Sequence, residues 1–125
     1  TMKIYRCAHC GNIIFYLHDA GVPVFCCGEK MQLLQAGSVD AAVEKHVPAV
    51  TVDGSRIHAQ VGSVIHPMAE EHYIEWIALE TDRGVSVKWL KAGDAPEADF
   101  ALAEGEHPVA VYAYCNLHGL WRADV

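Results

Sequence analysis

The stretch Val109-Ala110-Val111-Tyr112-Ala113-Tyr114-Cys115-Asn116-Leu117-His118-Gly119 carries two signals at once. Val109, Val111 and Ala113 alternate with Ala110, Tyr112 and Tyr114, a period of two that reads as a β-strand. At its end a thiol and an imidazole stand three residues apart, a spacing that lets one tight turn present both to a single metal ion. Gly119 follows and permits the backbone angles such a turn requires. Alone, Cys-x-x-His is a weak signal, equally compatible with a buried free Cys near a strand end and an incidental His. Three histidines upstream add weight: His46 after Glu44-Lys45, His66 before Pro67-Met68, and His72 after Glu70-Glu71. Four imidazoles and one thiolate can serve one ion if the fold gathers them.

The same period recurs upstream. Ile57, Ala59 and Val61 alternate with His58 and Gln60; Ile74, Trp76 and Ala78 with Glu75, Ile77 and Leu79; Val85, Val87 and Trp89 with Ser86, Lys88 and Leu90. Phe100 and Leu102 lie in another such run, and turn signals at Asp53-Gly54, Asp82-Arg83-Gly84 and Gly93-Asp94-Ala95-Pro96 separate the runs. Short strands with frequent turns predict a β-sandwich from residue 48 onward. Gly37-Ser38-Val39-Asp40 marks a domain boundary, and residues 41–45 are expected to form one helical turn capped by Ser38 or Asp40. Pro67 biases His66 away from helix. His66 and His72 fall on different faces of any helix and need a bent loop to converge. All the candidate ligands thus lie near strand ends, which cluster in a sandwich. His9, His18, His58 and His107 lack such company and read as surface or structural residues.

Ahead of the sandwich, Cys7-Ala8-His9-Cys10 forms a knuckle closed by Gly11-Asn12, and Cys26-Cys27-Gly28 supplies a second pair. Strands are expected over residues 3–6, 13–17 and 22–25, with an extended exit over 31–36. Four thiolates around two turns can bind a metal whose affinity supplies folding energy that so short a segment lacks by burial. Disulfide pairing is the weaker alternative. In an extended chain, adjacent side chains point to opposite sides, so turning Cys26 and Cys27 to one ion should distort its tetrahedron. Iron and zinc suit four thiolates equally. The pattern resembles desulforedoxin, whose single iron sits in a distorted four-sulfur site.

Composition narrows the partners. The chain has 125 residues, 52% of them hydrophobic, and a net charge of −7, enough for one moderate core with a small satellite domain. The acidic balance argues against nucleic-acid and polybasic membrane partners. No apolar run approaches a membrane span. Cys7 follows Met2-Lys3 without a hydrophobic leader, and the cysteine distribution suits a reducing compartment, so the expected location is cytoplasmic.

Five stretches together carry a wider resemblance. Glu44-Lys45-His46-Val47-Pro48, Val61-Gly62-Ser63-Val64-Ile65-His66-Pro67-Met68, Glu71-His72-Tyr73-Ile74-Glu75-Trp76-Ile77, Lys91-Ala92-Gly93-Asp94-Ala95-Pro96 and Tyr114-Cys115-Asn116-Leu117-His118-Gly119 resemble desulfoferrodoxin, the two-iron class of superoxide reductase. The likeness runs nearly the whole chain and includes the four-cysteine head. The loop around Gly105-Glu106-His107-Pro108 is unfamiliar.

The resemblance implies a desulforedoxin-like domain over residues 1–37 and an immunoglobulin-like sandwich over 38–125, in a homodimer with two iron ions per chain. Cys7, Cys10, Cys26 and Cys27 would hold one iron, with zinc as an alternative. His46, His66, His72 and His118 would be equatorial ligands of the catalytic iron, with Cys115 axial. It further implies one-electron reduction of superoxide to hydrogen peroxide, with re-reduction by a donor such as rubredoxin. Lys45 would draw in the anion and hold protonating water, and Glu44 would close the sixth position of the oxidised iron. Two other readings stand beside it: a pure electron carrier using both irons, and a zinc-stabilised binding module in which the histidines are incidental.

Overall fold

In a computed structural model, which describes residues 2–125, the chain divides into two compact units, Thr1–Gln35 and Ala36–Val125. In the first unit β1 (Ile4–Arg6) lies between β2 (Ile13–Phe15) and, later in the chain, Gln32–Leu33, both antiparallel to it. Phe25–Cys26 (β3) and Glu29–Lys30 (β4) form a separate hairpin, after which Gln32–Leu33 is β5. The strand expected over 22–25 is confined to its last residue, and β4 was not anticipated. Pro23 has no N–H to give a ladder. Among the described residues of this unit, Ile4, Cys7 and Met31 are the buried ones, a core too thin to hold such a fold by apolar burial.

The second unit opens with α1 (Val43–His46), a single turn. Neither Ser38 nor Asp40 caps it: the N-cap is Ala42, and no side chain caps the turn. The Ala42 carbonyl accepts instead, from the Lys45 N–H at 3.2 Å and from the His46 ring at 2.7 Å. The strands follow as β6 (Pro48–Asp53), β7 (Arg56–Val61), β8 (Ile74–Thr81), β9 (Val85–Trp89), β10 (Glu97–Ala101), β11 (Pro108–Cys115) and β12 (Gly119–Asp124). They form two antiparallel sheets, ordered β10-β7-β6 and β12-β11-β8-β9. Together they make the expected immunoglobulin-like sandwich.

Between the sheets lie Ile57, Ala59 and Val61 of β7, Ala98 and Phe100 of β10, Ile74, Ile77 and Leu79 of β8, and Val111, Ala113 and Cys115 of β11. The alternation in β7 is the one written in the sequence, and β11 keeps it from Val111 onward. Val109, at a register shift between Pro108 and Ala110, is exposed. In β8 the alternation is lost. Tyr114 opposes Trp76 and Cys115 opposes Ile74, so β8 carries one extra residue against a single step of β11. Such a bulge reverses the facing of the strand. Ile74 and Ile77 therefore both reach the core, while Trp76 turns outward and stacks on Tyr114 at 5.7 Å. At the edge, β9 leaves Val87 and Trp89 exposed.

One close approach fixes where His46 stands. The backbone of α1 lies against buried Gly62, where an added Cβ would come within 2.6 Å of the Glu44 carbonyl oxygen, 2.9 Å of the Lys45 carbonyl carbon and 3.0 Å of the Val47 carbonyl oxygen. The Val64 N–H donates to the same Glu44 oxygen at 2.9 Å, and the Ser63 hydroxyl at 3.2 Å. Overpacking backbone against backbone costs about 1–3 kcal/mol. Gly62→Ala should accordingly lower the melting temperature of the metal-free protein by roughly 4–8 °C per kcal/mol lost. Gly84→Ala, which meets nothing within 4 Å, should melt with the parent. Coincident melting curves for all three proteins would refute the account of Gly62.

Candidate metal centres

His46 ends α1; His66 follows the loop after β7; His72 closes a tight bridge with Ala69; Cys115 ends β11 and His118 precedes β12. The structure brings all five together, with one donor atom from each lying within 4.8 Å of every other. The four rings form a closed circuit. His46–His66, His66–His72, His72–His118 and His118–His46 are near-perpendicular neighbours at 4.7, 4.6, 5.0 and 4.9 Å between centroids, and His46 and His72 face each other across it at 6.5 Å. That is close to a square.

The protons can be placed from the hydrogen bonds. A carbonyl only accepts, so His46 Nδ1–H donates to Ala42 O at 2.7 Å and His66 Nδ1–H to Pro67 O at 2.6 Å. The neutral rings therefore present bare Nε2 lone pairs, and these two nitrogens stand 3.2 Å apart with no proton between them. His46 Nε2 is also 3.2 Å from His118 Nδ1, and His118 Nδ1 is 3.8 Å from Cys115 Sγ. His72 Nε2 is buried with no hydrogen-bond partner. Lone pairs converging in this way repel one another unless a cation lies among them. Metal–nitrogen bonds of about 2.1 Å at right angles would set adjacent nitrogens about 3.0 Å apart, near the separations found.

Electrostatics points the same way. Burial holds His66 down to about 4 and is the leading influence lowering His46 and His72 as well. All three are uncharged at neutral pH, as metal ligands must be. Burial also pushes the Cys115 thiol up, against the pull of the Leu117 and His118 N–H groups, so a thiolate there calls for a cation. Glu44 and Lys45 are exposed on the turn that carries His46, and the Lys45 charge contributes to the lowering of His46 and His72.

Several supports were not anticipated. Trp121 packs on the His46 ring at 4.9 Å and donates Nε1–H to the His118 carbonyl at 3.0 Å. The Ala42 and Pro67 carbonyls set the tautomers. Backbone acceptors leave no mark in a sequence; the only legible sign was a Trp two residues beyond Gly119. In the second unit His58 and His107 pair with Asp99 and Asp82 and are not among the five donors, as expected; in the first, His9 pairs with Glu29.

In the first unit Cys7, Cys10, Cys26 and Cys27 also place their sulfurs within 4.8 Å of one another. All five cysteines of the chain are free, so the disulfide alternative falls. Cys10 Sγ and Cys26 Sγ are 3.6 Å apart, near the roughly 3.8 Å edge of a tetrahedron with metal–sulfur bonds of about 2.3 Å. The Cys10 N–H leads the influences that bring Cys7 down to about 6. The crowding sulfurs of Cys10, Cys7 and Cys26 push Cys27 up to about 12. The adjacency of Cys26 and Cys27 is resolved by the turn: Cys27 has φ 53° and Gly28 φ 77°, so the chain doubles back at Cys27 and is not extended. Two positive-φ residues between paired strands make the I′ type of hairpin turn.

This is a β-sandwich bearing a centre of four imidazoles and one thiol, preceded by a small unit bearing a centre of four thiols. The chain belongs to the desulfoferrodoxin family: residues 38–124 match the family described as Desulfoferrodoxin, and residues 1–34 match Desulfoferrodoxin, N-terminal domain. It is 50% identical over 123 residues to the desulfoferrodoxin of Nitratidesulfovibrio vulgaris, covering 98% of this chain and 95% of that one. The crystal structure of the superoxide reductase from Treponema pallidum superposes with a TM-score of 0.83 at 38% identity, over 99% of each chain. A superoxide reductase from Giardia intestinalis, described as 1Fe-SOR, matches 66% of this chain and 97% of its own at 31% identity and a TM-score of 0.57.

A pH dependence follows for the metal-free protein. His66 binds its proton near 4 when folded and near 6.5 when unfolded, so between these values the unfolded chain holds more protons. This contribution to stability is complete above about 6.5 and is lost as pH falls toward 4. Thermal melts of chelator-treated protein should slope downward across that window, and His66→Leu should flatten the slope. Equal slopes would refute the assignment.

Proposed function

We propose that the chain is a superoxide reductase. The observation that carries this reading is the near-square of four imidazoles with a buried thiol beside it, a donor set suited to a single iron ion. The relatives named superoxide reductase support it. Ferrous iron held by His46, His66, His72, His118 and Cys115 would supply one electron to superoxide, which with two protons leaves as hydrogen peroxide.

The chain's own groups would do the rest. The two carbonyl-bound imidazoles keep their tautomers throughout, and the buried Cys115 offers its sulfur from the core side. Lys45 would draw the anion toward a protein that is otherwise negative and hold the water that supplies protons, while Glu44 would offer its carboxylate to the oxidised ion. The assignment takes residues 1–37 as a desulforedoxin-like domain whose four cysteines hold a second iron, or zinc, and 38–125 as the reductase domain. A rubredoxin-like donor returns the electron, and the protein works as a cytoplasmic homodimer. Among the described residues no helix is long and apolar enough to cross a membrane.

The two ligand sets share no residue, so each centre should be separately removable. Cys115→Ser is expected to abolish superoxide reduction and leave the four-sulfur absorption. Cys10→Ser should remove that absorption while the pre-reduced protein still consumes pulse-generated superoxide. Simultaneous loss of both signals in either variant would overturn the assignment.

Lys45 has its own test. A unit charge about 6 Å from the anion, at an effective dielectric of about 40, is worth roughly 1.4 kcal/mol, or about tenfold in rate. Lys45→Ala should slow the second-order reaction by about that factor without changing iron content. Its rate should also fall less steeply with salt than the parent's. Parallel salt dependences at equal rates would return Lys45 to an ordinary solvated charge.

A further inference from the structure

The ladder between β11 and β8 ends at Cys115 opposite Ile74. Beyond that pair β11 must leave the sheet to make the turn from Cys115 to His118, and β8 leads back into the segment that carries His72. Ordinary pairing would stop here. Asn116 carries it further. Its backbone N–H donates to the Tyr73 carbonyl at 3.2 Å, its Oδ1 accepts from the Tyr73 N–H at 3.0 Å, and its Nδ2 donates to the Glu71 carbonyl at 3.1 Å. The partners lie immediately before and immediately after His72. The remaining polar backbone groups of His72 are taken by Ala69, with both bonds at 3.0 Å.

The chemistry requires a carboxamide. One arm must accept from an N–H and the other must donate to a carbonyl, which a single planar amide does in a fixed orientation. An Asp would keep the first bond and set an oxygen against the Glu71 carbonyl. A Leu or Ala would leave both backbone groups without this partner.

His72 lacks the ring anchor that two of its neighbours have. Its ring bears the buried Nε2 with no hydrogen-bond partner, whereas His46 and His66 are each anchored by their own Nδ1–H to a carbonyl. We propose that Asn116 is a positioning residue: its carboxamide clamps the backbone on both sides of His72 to the residue following Cys115, and so sets His72 Nε2 relative to the sulfur. The proposal rests on the reading of His72 and Cys115 as ligands of one iron. Residues orienting metal ligands typically change affinity by about 10- to 100-fold when removed.

The test uses full-length ferric protein and does not depend on turnover. Iron loss to excess EDTA is followed through the thiolate-to-iron absorption of the five-ligand centre, with the four-sulfur absorption as internal reference, and electron paramagnetic resonance reports the symmetry of the ferric ion. Asn116→Ala is expected to release iron about 10- to 100-fold faster and to shift the resonance pattern, with Asn116→Asp changed in the same direction. A purely structural Asn116 would lower the melting temperature and leave both signals at their parent values, and that result would overturn the proposal. If Asn116→Ala does not fold, parent-like signals in Asn116→Asp overturn it equally. His72→Gln serves as the control for the underlying reading. Parent-like iron retention and resonance in His72→Gln would show that His72 is no ligand, whereas a changed His72→Gln beside parent-like Asn116 variants would sink the positioning role alone.

Discussion

Two backbone carbonyls decide where the protons of the sandwich centre lie. By accepting from Nδ1 of His46 and His66, Ala42 and Pro67 leave both Nε2 atoms bare and aimed at each other. Burial then prevents the usual escape, which would be to protonate one of them. A polypeptide left alone with this arrangement carries a standing repulsion, and the sheets must hold it together. They are built for that: β7, β8, β10 and β11 close a core around Ile57, Ile77, Leu79 and Val111 and deliver four of the five donors from strand ends and short loops. The fifth comes on α1, seated against Gly62.

The two centres solve opposite problems. In the sandwich, packing comes first and a metal relieves what the packing has forced together. In the small unit, the described buried residues are Ile4, Cys7 and Met31, and the positive φ of Cys27 costs about 1–2 kcal/mol for a residue with a Cβ. A metal there would be a large part of the fold's own stability, as in other small metal-bound units. Removing metal from one centre is therefore a change of charge balance; removing it from the other is a loss of structure.

Much of this was legible in the sequence. The period of two named the core residues of β7 and, from Val111 onward, of β11, and the thiol and imidazole flanking Asn116-Leu117 pointed to the three upstream histidines. The bulge in β8 was not visible, because Ile74, Trp76 and Ala78 form a regular apolar alternation that pairing with β11 breaks. The cap of α1 is not legible at Ser38 or Asp40, because the Ala42 carbonyl, not a side chain, organises that turn. The geometry at Cys26-Cys27 departs from the extended backbone for a related reason: the chain reverses over Cys27 and Gly28. In each case the missing information sat in the main chain or in a partner strand, and neither is written at the residue concerned.

The three tryptophans occupy environments different enough to act as separate optical probes. Trp121 is 4% exposed and its ring lies 4.9 Å from that of His46. Its excited state would be drained by a redox-active ion on that imidazole before it could emit. Trp76 is stacked on Tyr114 at 5.7 Å, and Trp89 is 84% exposed at the open edge of β9. Intrinsic fluorescence should thus contain a blue component from Trp121 that darkens as the sandwich centre fills, beside a red one from exposed Trp89. Occupancy of this centre could be followed without any dye.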